Sequence, residues 1–143
     1  MSSQSVRTAA IRALTEIRRA QRRIRMLAER TRDLDRGTQL RMLAIVELLE
    51  RMALRLETVL SLGYATPDLL RTPIVIVYAI GAMKSFVPPD VRLSLSTIQE
   101  NIETIRISAA QELKIPEEEL RKEAEQVMRE AMEAARKRQD SYS

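Results

Sequence analysis

Neither cysteine nor histidine occurs among the 143 residues. Disulfide cross-links, thiol nucleophiles and zinc sites built on these ligands are therefore excluded, and so is acid–base work by imidazole. Tryptophan is absent, aromatic residues make up 3%, and there are only three glycines and five prolines. Sheets and tight turns need more of all of these. Long apolar runs are also missing. The longest, Ile74 to Met83, is about half of the ~20 residues that cross a bilayer. Met1 to Ser5 leads into an arginine-rich segment, so no secretory leader is expected.

What remains is Ala, Leu, Ile, Met, Glu and Arg, the composition of an all-α chain whose core is built from aliphatic side chains. The length is that of one domain. Charge is distributed unevenly. Residues 1–41 carry 11 Arg against Glu16, Glu29, Asp33 and Asp35, a local net of +7, whereas residues 117–143 carry 6 basic and 8 acidic groups. Only four lysines occur, so the cationic surface is guanidinium, suited to bidentate contact with phosphate or carboxylate.

Apolar positions 13, 17, 20, 24, 27, 31 and 34 recur in alternating steps of four and three, a heptad seam for one partner helix. With that seam inward, Arg12, Arg18, Arg19 and Arg22 lie outward and Arg23 on a flank. Arg36-Gly37-Thr38 reads as a break, with Gly37 at a helix C-terminus. A second repeat runs through Met42, Ile45, Leu49, Met52, Leu56 and Val59 and is widened by further leucines, so this helix is buried on more than one side. Leu62-Gly63 ends it and Thr66-Pro67-Asp68 starts another, with Thr66 as N-cap and Pro67 in the first helical position. Pro73 is expected to restart or kink that helix. Val91, Leu93 and Leu95 alternate with polar residues, a brief extended signal, before a helical pattern through Ile98, Ile102, Ile105 and Leu113. Ile115-Pro116-Glu117-Glu118-Glu119 opens a last helix. The expected organisation is a single helical domain over 1–138: a hairpin at 6–62, short helices over 66–113, a C-terminal helix at 117–138 and a disordered tail at 139–143.

Residues 55–70, RLETVLSLGYATPDLL, resemble the end of the second core helix and the start of the third in archaeal ESCRT-III-like cell-division proteins, the CdvB family. Pro88-Pro89 followed by Leu95, Ile98, Ile102 and Ile105 is similar to that family's fourth helix. Glu118 through Arg138 resembles its late alanine- and glutamate-rich helix. The similarity covers about residues 40–138. It implies an elongated antiparallel helical hairpin with three shorter C-terminal helices. It also implies a cytoplasmic, non-enzymatic subunit that polymerises with itself or with paralogous subunits, peripheral to an anionic membrane or division site. The family's filaments remodel membranes and are disassembled by an AAA-type ATPase. Against the family's ATPase-docking pattern, the best register is Glu125, Met128, Ala131, Met132, Ala135 and Arg136, with Met or Ala in the Leu positions.

The residues expected to act are Arg12, Arg18, Arg19, Arg22 and Arg23 for a membrane or other anion, and Gly63, Thr66 and Pro67 as a hinge. Leu120, Ala124, Val127, Met128, Ala131 and Met132 form a helix face that folds back or meets a partner. No cofactor and no metal is expected, since Glu117 to Glu119 are consecutive and do not converge on one ion. Two other classes fit less well. A nucleic-acid-binding or regulatory oligomer would lack the interleaved aromatics and the recognised modules. A small all-α enzyme binding an acidic substrate would need arginines and carboxylates converging inside a bundle, and Arg51, Arg55 and Glu57 match no catalytic spacing.

Overall fold

The computed structural model describes residues 3–30, 33–109 and 113–141. These residues form five α-helices and one short 3-10 turn, with no strand among them. The helices are α1 (Ser3–Arg30), α2 (Arg36–Leu62), α3 (Pro67–Gly81), α4 (Pro89–Ser108) and α5 (Glu117–Ser141), with the 3-10 turn at Lys84–Phe86.

Helix α2 is the axis of the bundle, because its sequence is apolar on nearly every side. Leu43, Ala44, Ile45, Leu48, Leu49, Met52, Ala53 and Leu56 are wholly buried. Helix α1 runs antiparallel to it. The Gln39 amide donates to the Ala28 carbonyl (2.8 Å) near the turn, and the Gln21 amide donates to Val46 (3.2 Å) further along. Gln21 is 1% exposed, so the bond to Val46 is needed to satisfy its amide. Helix α5 is antiparallel to α2 on another side, with Arg51 paired to Glu130 (2.7 Å) and Glu47 to Arg138 (2.7 Å). Helix α4 packs along α1, and α3 fills the angle between α2 and α5. The 3-10 turn is tied to α2 by the Arg41 guanidinium, 4.6 Å from the centre of the Phe86 ring, a cation–π contact.

The seam expected on α1 is the buried one: Ala13, Ile17, Ala20 and Ile24 are enclosed, with Leu27 partly so. Thr31 lies outside the described residues. The break between the arms differs from expectation. Helix α1 ends at Arg30, and Gly37 lies inside the first turn of α2 rather than at the end of α1. Asp35 is the N-cap, accepting from the Thr38 N–H (3.1 Å) and hydroxyl (3.0 Å). Hydrogen bonds from Thr38 and the Gly37 N–H hold its carboxyl below the usual range. A Cβ on Gly37 would stand 3.3 Å from that carboxylate and 3.1 Å from Arg41. The glycine thus serves the cap that starts a helix.

Three other expectations are corrected. Residues 91–95 are helical, because Pro89 and Asp90 start α4; on a helical period Val91 and Leu95 point inward while Leu93 points out. The helix pattern through Ile105 stops at Ser108, short of Leu113. Helix α5 continues to Ser141 with Gln139 buried, so residues 139–141 are ordered helix rather than tail; residues 142–143 lie outside those described. Pro73 sits within α3 and is buried, and the helix continues through it.

Candidate functional site

Because α1 lies between α2 and α4, its two flanks meet other helices and one outer strip faces solvent. The periodicity places Thr8, Ile11, Arg12, Thr15, Arg19, Arg22, Met26, Glu29 and Arg30 on that strip, and all are exposed. Three of the five arginines expected to bind an anion are there. Arg12 and Arg22 make no ion pair with a described residue. Arg19 is bridged to Glu16 one turn back (2.9 Å) while its side chain stays 63% exposed.

The other two arginines are drawn inward. Arg18 turns onto α2, where it meets Glu50 (2.5 Å) and Glu57 (3.1 Å), and it also donates to the Gln21 side-chain oxygen on its own helix (2.9 Å). Arg23 reaches Asp90 on α4 (2.9 Å). A heptad assignment with one partner helix treats both flanks as solvent; a second partner, α4, makes one flank a contact. Glu50 also accepts from Gln21 (3.1 Å), and this bond, followed by the Arg18 contact, holds its carboxyl below the ordinary value. Arg18 and Arg23 are thus engaged by carboxylates of neighbouring helices, with side chains still 39% and 42% exposed.

The sequence reading missed Ile11 and Met26. Both lie on the outer strip, 45% and 40% exposed, and interrupt the arginines with apolar side chains. The signal was present: neither belongs to the seam, and an apolar residue off the seam points to solvent or to a second partner. The strip is thus amphipathic as well as cationic. Its guanidinium groups are suited to bidentate contact with anionic groups, and two apolar side chains stand beside them. Among the described residues no group of three or more acidic, His or Cys side chains converges as a metal site, and no helix is long and apolar enough to cross a membrane.

The second expected site is the α2–α3 junction. Gly63 adopts φ +82 and its N–H donates to the Val59 carbonyl (2.9 Å), closing α2 in the left-handed conformation that glycine adopts without strain. Thr66 accepts from the Leu69 N–H through its hydroxyl (3.3 Å), and Pro67 is the first helical residue. Gly63, Thr66 and Pro67 therefore come together as one elbow, with Tyr64 exposed at its tip.

The third expected site, the α5 face, is folded back onto its own chain. Ala124, Ala131 and Ala135 are fully enclosed, and Leu120, Val127, Met128 and Met132 pack at their edges. Small residues along the seam let α5 approach α2 and α3 closely. Arg71 of α3 meets both Glu119 (2.6 Å) and Glu123 (2.7 Å). At the far end Gln139 donates to the Arg36 carbonyl and to the Gln39 side chain, each at 2.8 Å. No family model matches the chain, and no curated protein or solved structure matches it either.

Proposed function

We propose that this chain is a non-enzymatic, ESCRT-III-like subunit that assembles into filaments, with itself or with paralogous subunits, on anionic membrane surfaces. In this reading it remodels those membranes in archaeal cell division or vesicle budding. The supporting observation is the outer strip of α1, where Arg12, Arg19 and Arg22 are exposed beside Ile11 and Met26. Each basic residue near an anionic leaflet contributes on the order of 1 kcal/mol. The two apolar side chains add shallow burial at the headgroup boundary. The subunit is peripheral, working from the cytoplasmic side.

In this reading the folded-back α5 belongs to a closed form of the subunit. Releasing α5 frees the alanine seam and the side of α2 that it covers, a broad apolar surface available to a neighbouring subunit. The elbow at Gly63–Thr66 is where α2 and α3 change their relative direction. A disassembling AAA-type ATPase would engage α5 in its released state, since Ala131 and Ala135 are enclosed in the closed one.

Co-sedimentation with vesicles of neutral lipid and of neutral lipid containing phosphatidylserine, with electron microscopy of the pellets, tests the reading. Binding to the anionic vesicles, lost with Arg12→Glu and Arg22→Glu, together with filaments on the lipid, is the expected result. Neither variant removes an ion pair with a described residue, so the fold should hold. Absence of both lipid binding and filaments overturns the proposal. Preference for DNA over lipid would move the chain to the nucleic-acid class.

A further inference from the structure

An open crevice of about 330 Å³ runs between α1 and α4. Glu16, Arg19 and Arg23 line it from α1, and Asp90, Ser94 and Thr97 from α4. Helix α4 carries five hydroxyl side chains, and four of them turn back onto the helix. Ser96, Thr97, Thr104 and Ser108 donate to the carbonyls of Arg92, Leu93, Glu100 and Ile105. Ser94 makes no hydrogen bond with a described residue, although it is only 7% exposed. A hydroxyl taken out of water without a partner costs free energy, so buried ones are normally bonded. The crevice that Ser94 lines is where a partner can enter.

Both arginines of the crevice keep donors to spare. Arg19 gives Nη1 to Glu16 (2.9 Å) and Arg23 gives Nε to Asp90 (2.9 Å). A guanidinium has five N–H donors, and no other hydrogen bond joins either one to a described residue. The two stand one turn apart on α1, where like charges repel and where a single anion can accept from both. Glu16 and Asp90 would oppose a bare anion, just as the arginines would oppose a bare cation. Two charges of each sign favour a ligand that carries both.

From the unpartnered Ser94 hydroxyl set among two arginines and two carboxylates, we infer that the α1–α4 crevice binds a phosphate ester of a primary amine, of the phosphoethanolamine type. The phosphate accepts from Ser94, Arg19 and Arg23. The ammonium donates to Asp90, whose side chain is 58% exposed and whose Oδ1 accepts from no described residue. Ser94 and Asp90 are four positions apart on α4, so their side chains start about 5–6 Å from each other, a gap that a two-carbon bridge spans. A primary ammonium offers three N–H donors to a carboxylate. A quaternary ammonium offers none and is held by aromatic faces, and no described aromatic side chain lines this crevice. The site therefore selects ethanolamine over choline. Leu93, 71% exposed, also lines the crevice, where it can meet the apolar part of a lipid. Such an ester is found free or as a membrane headgroup. The headgroup source rests on the proposed membrane reading and deepens it, since Arg19 belongs to both the crevice and the outer strip of α1.

NMR titration of the full, isotope-labelled chain with glycerophosphoethanolamine tests the site. Saturable shifts are expected at the amides around Arg19 and Arg23 and from Asp90 to Ser94, with glycerophosphocholine binding about tenfold more weakly or less tightly still. Ser94→Ala removes one oxygen and no packing volume beyond it, and circular dichroism verifies the fold. It is expected to raise the dissociation constant by about tenfold. Asp90→Asn is expected to abolish the preference for ethanolamine over choline. Absence of saturable shifts overturns the inference. So does equal binding of the two probes by wild type, or a Ser94→Ala protein that binds as tightly as wild type.

Vesicles then identify the source and keep the two readings apart. Retention on phosphatidylcholine vesicles that rises with added phosphatidylethanolamine, and is lost with Ser94→Ala, assigns the lipid headgroup; retention indifferent to it assigns the free ester. If glycerophosphoethanolamine saturates the site but phosphatidylserine vesicles are not bound, the membrane reading fails and the site stands. If phosphatidylserine vesicles are bound and the probe never saturates, the site fails and the membrane reading stands.

Discussion

Arg71 of α3 and Glu123 of α5 are joined by two parallel hydrogen bonds, Nε to Oε1 at 3.0 Å and Nη2 to Oε2 at 2.7 Å. A carboxylate and a guanidinium matched in this way form a planar fork that fixes orientation as well as distance. Glu119 adds a third bond to Nη2 at 2.6 Å. The Glu123 and Glu119 contacts raise the pKa of Arg71 above its ordinary value. This fork is the main polar tie between α3 and α5, and it sets where α5 begins to lie along the bundle.

Replacing Arg71 with Lys keeps the charge and removes the fork. The pair is part-exposed, with side-chain exposures of 35% and 37%, so solvent screens it. A double-mutant cycle of Arg71→Lys with Glu123→Gln is expected to give a coupling energy of about 0.5–1 kcal/mol by chemical denaturation. A coupling of zero would leave the start of α5 held by its apolar seam, with the Arg51–Glu130, Glu47–Arg138 and Gln139 contacts holding the rest.

The pH dependence of stability follows from the carboxylates. With no histidine, no side chain with an ordinary pKa titrates between about pH 6 and pH 8, and the thermal midpoint is expected to be flat across that range. Glu50, Glu103 and Glu130 are all held below the ordinary glutamate range in the folded state. Hydrogen bonds to the ionised carboxylates are responsible: from Gln21 to Glu50, from Arg106 to Glu103 and from Arg51 to Glu130. A group whose pKa is lower in the folded state stabilises fully above its unfolded pKa and loses that contribution as pH falls. Stability should therefore decline as the pH drops through and below the ordinary glutamate pKa of about 4.3. A midpoint that falls already at neutral pH would contradict this.

Gly63 is expected to be sensitive for a backbone reason only. A Cβ there would meet nothing within 4 Å, but φ is +82. Gly63→Ala should cost about 1 kcal/mol in denaturant unfolding with no change in the contacts of α2 or α3. Gly81, with equally open surroundings and no positive φ, is the control. Gly81→Ala should be neutral or slightly stabilising.

Helix content was legible because apolar spacing fixes it. The seams of α1 and α2, the Thr66-Pro67 start of α3 and the Pro116-Glu117 start of α5 each depend on neighbours in sequence. What was not legible depends on which helix lies beside which. Arg18 and Arg23 looked equivalent to Arg12 and Arg22 until α2 and α4 were placed on either side of α1. Ile11 and Met26 could be seen to be off the seam, but the outward position of Leu93 on α4 was hidden by reading Val91 to Leu95 as extended. The alternation in that segment is real in the sequence; Pro89 at the helix start decides against it. Gly37 misled because glycine is commoner after a helix than in its first turn, and the Asp35–Thr38 cap beside it carried the better signal.

Gln139 supplies the last prediction. It is 6% exposed and donates to the Arg36 carbonyl and to Gln39, whose own amide donates to the Ala28 carbonyl. The end of α5, the start of α2 and the end of α1 are thus joined through two side-chain amides. Truncating one member of a buried polar chain leaves its partners unsatisfied, at a cost of about 1–3 kcal/mol. Gln139→Ala should therefore speed hydrogen exchange by on the order of tenfold, both in the last turns of α5 and in the first turn of α2, while the amides around Leu48 to Leu56 keep their protection. Faster exchange at the α5 end alone would mean that Gln139 holds only its own helix, and that the turn between α1 and α2 is fixed by the Asp35 cap. Faster exchange at both ends would make the end of α5 a clasp on that turn, so that releasing α5 also loosens the two long arms where they join.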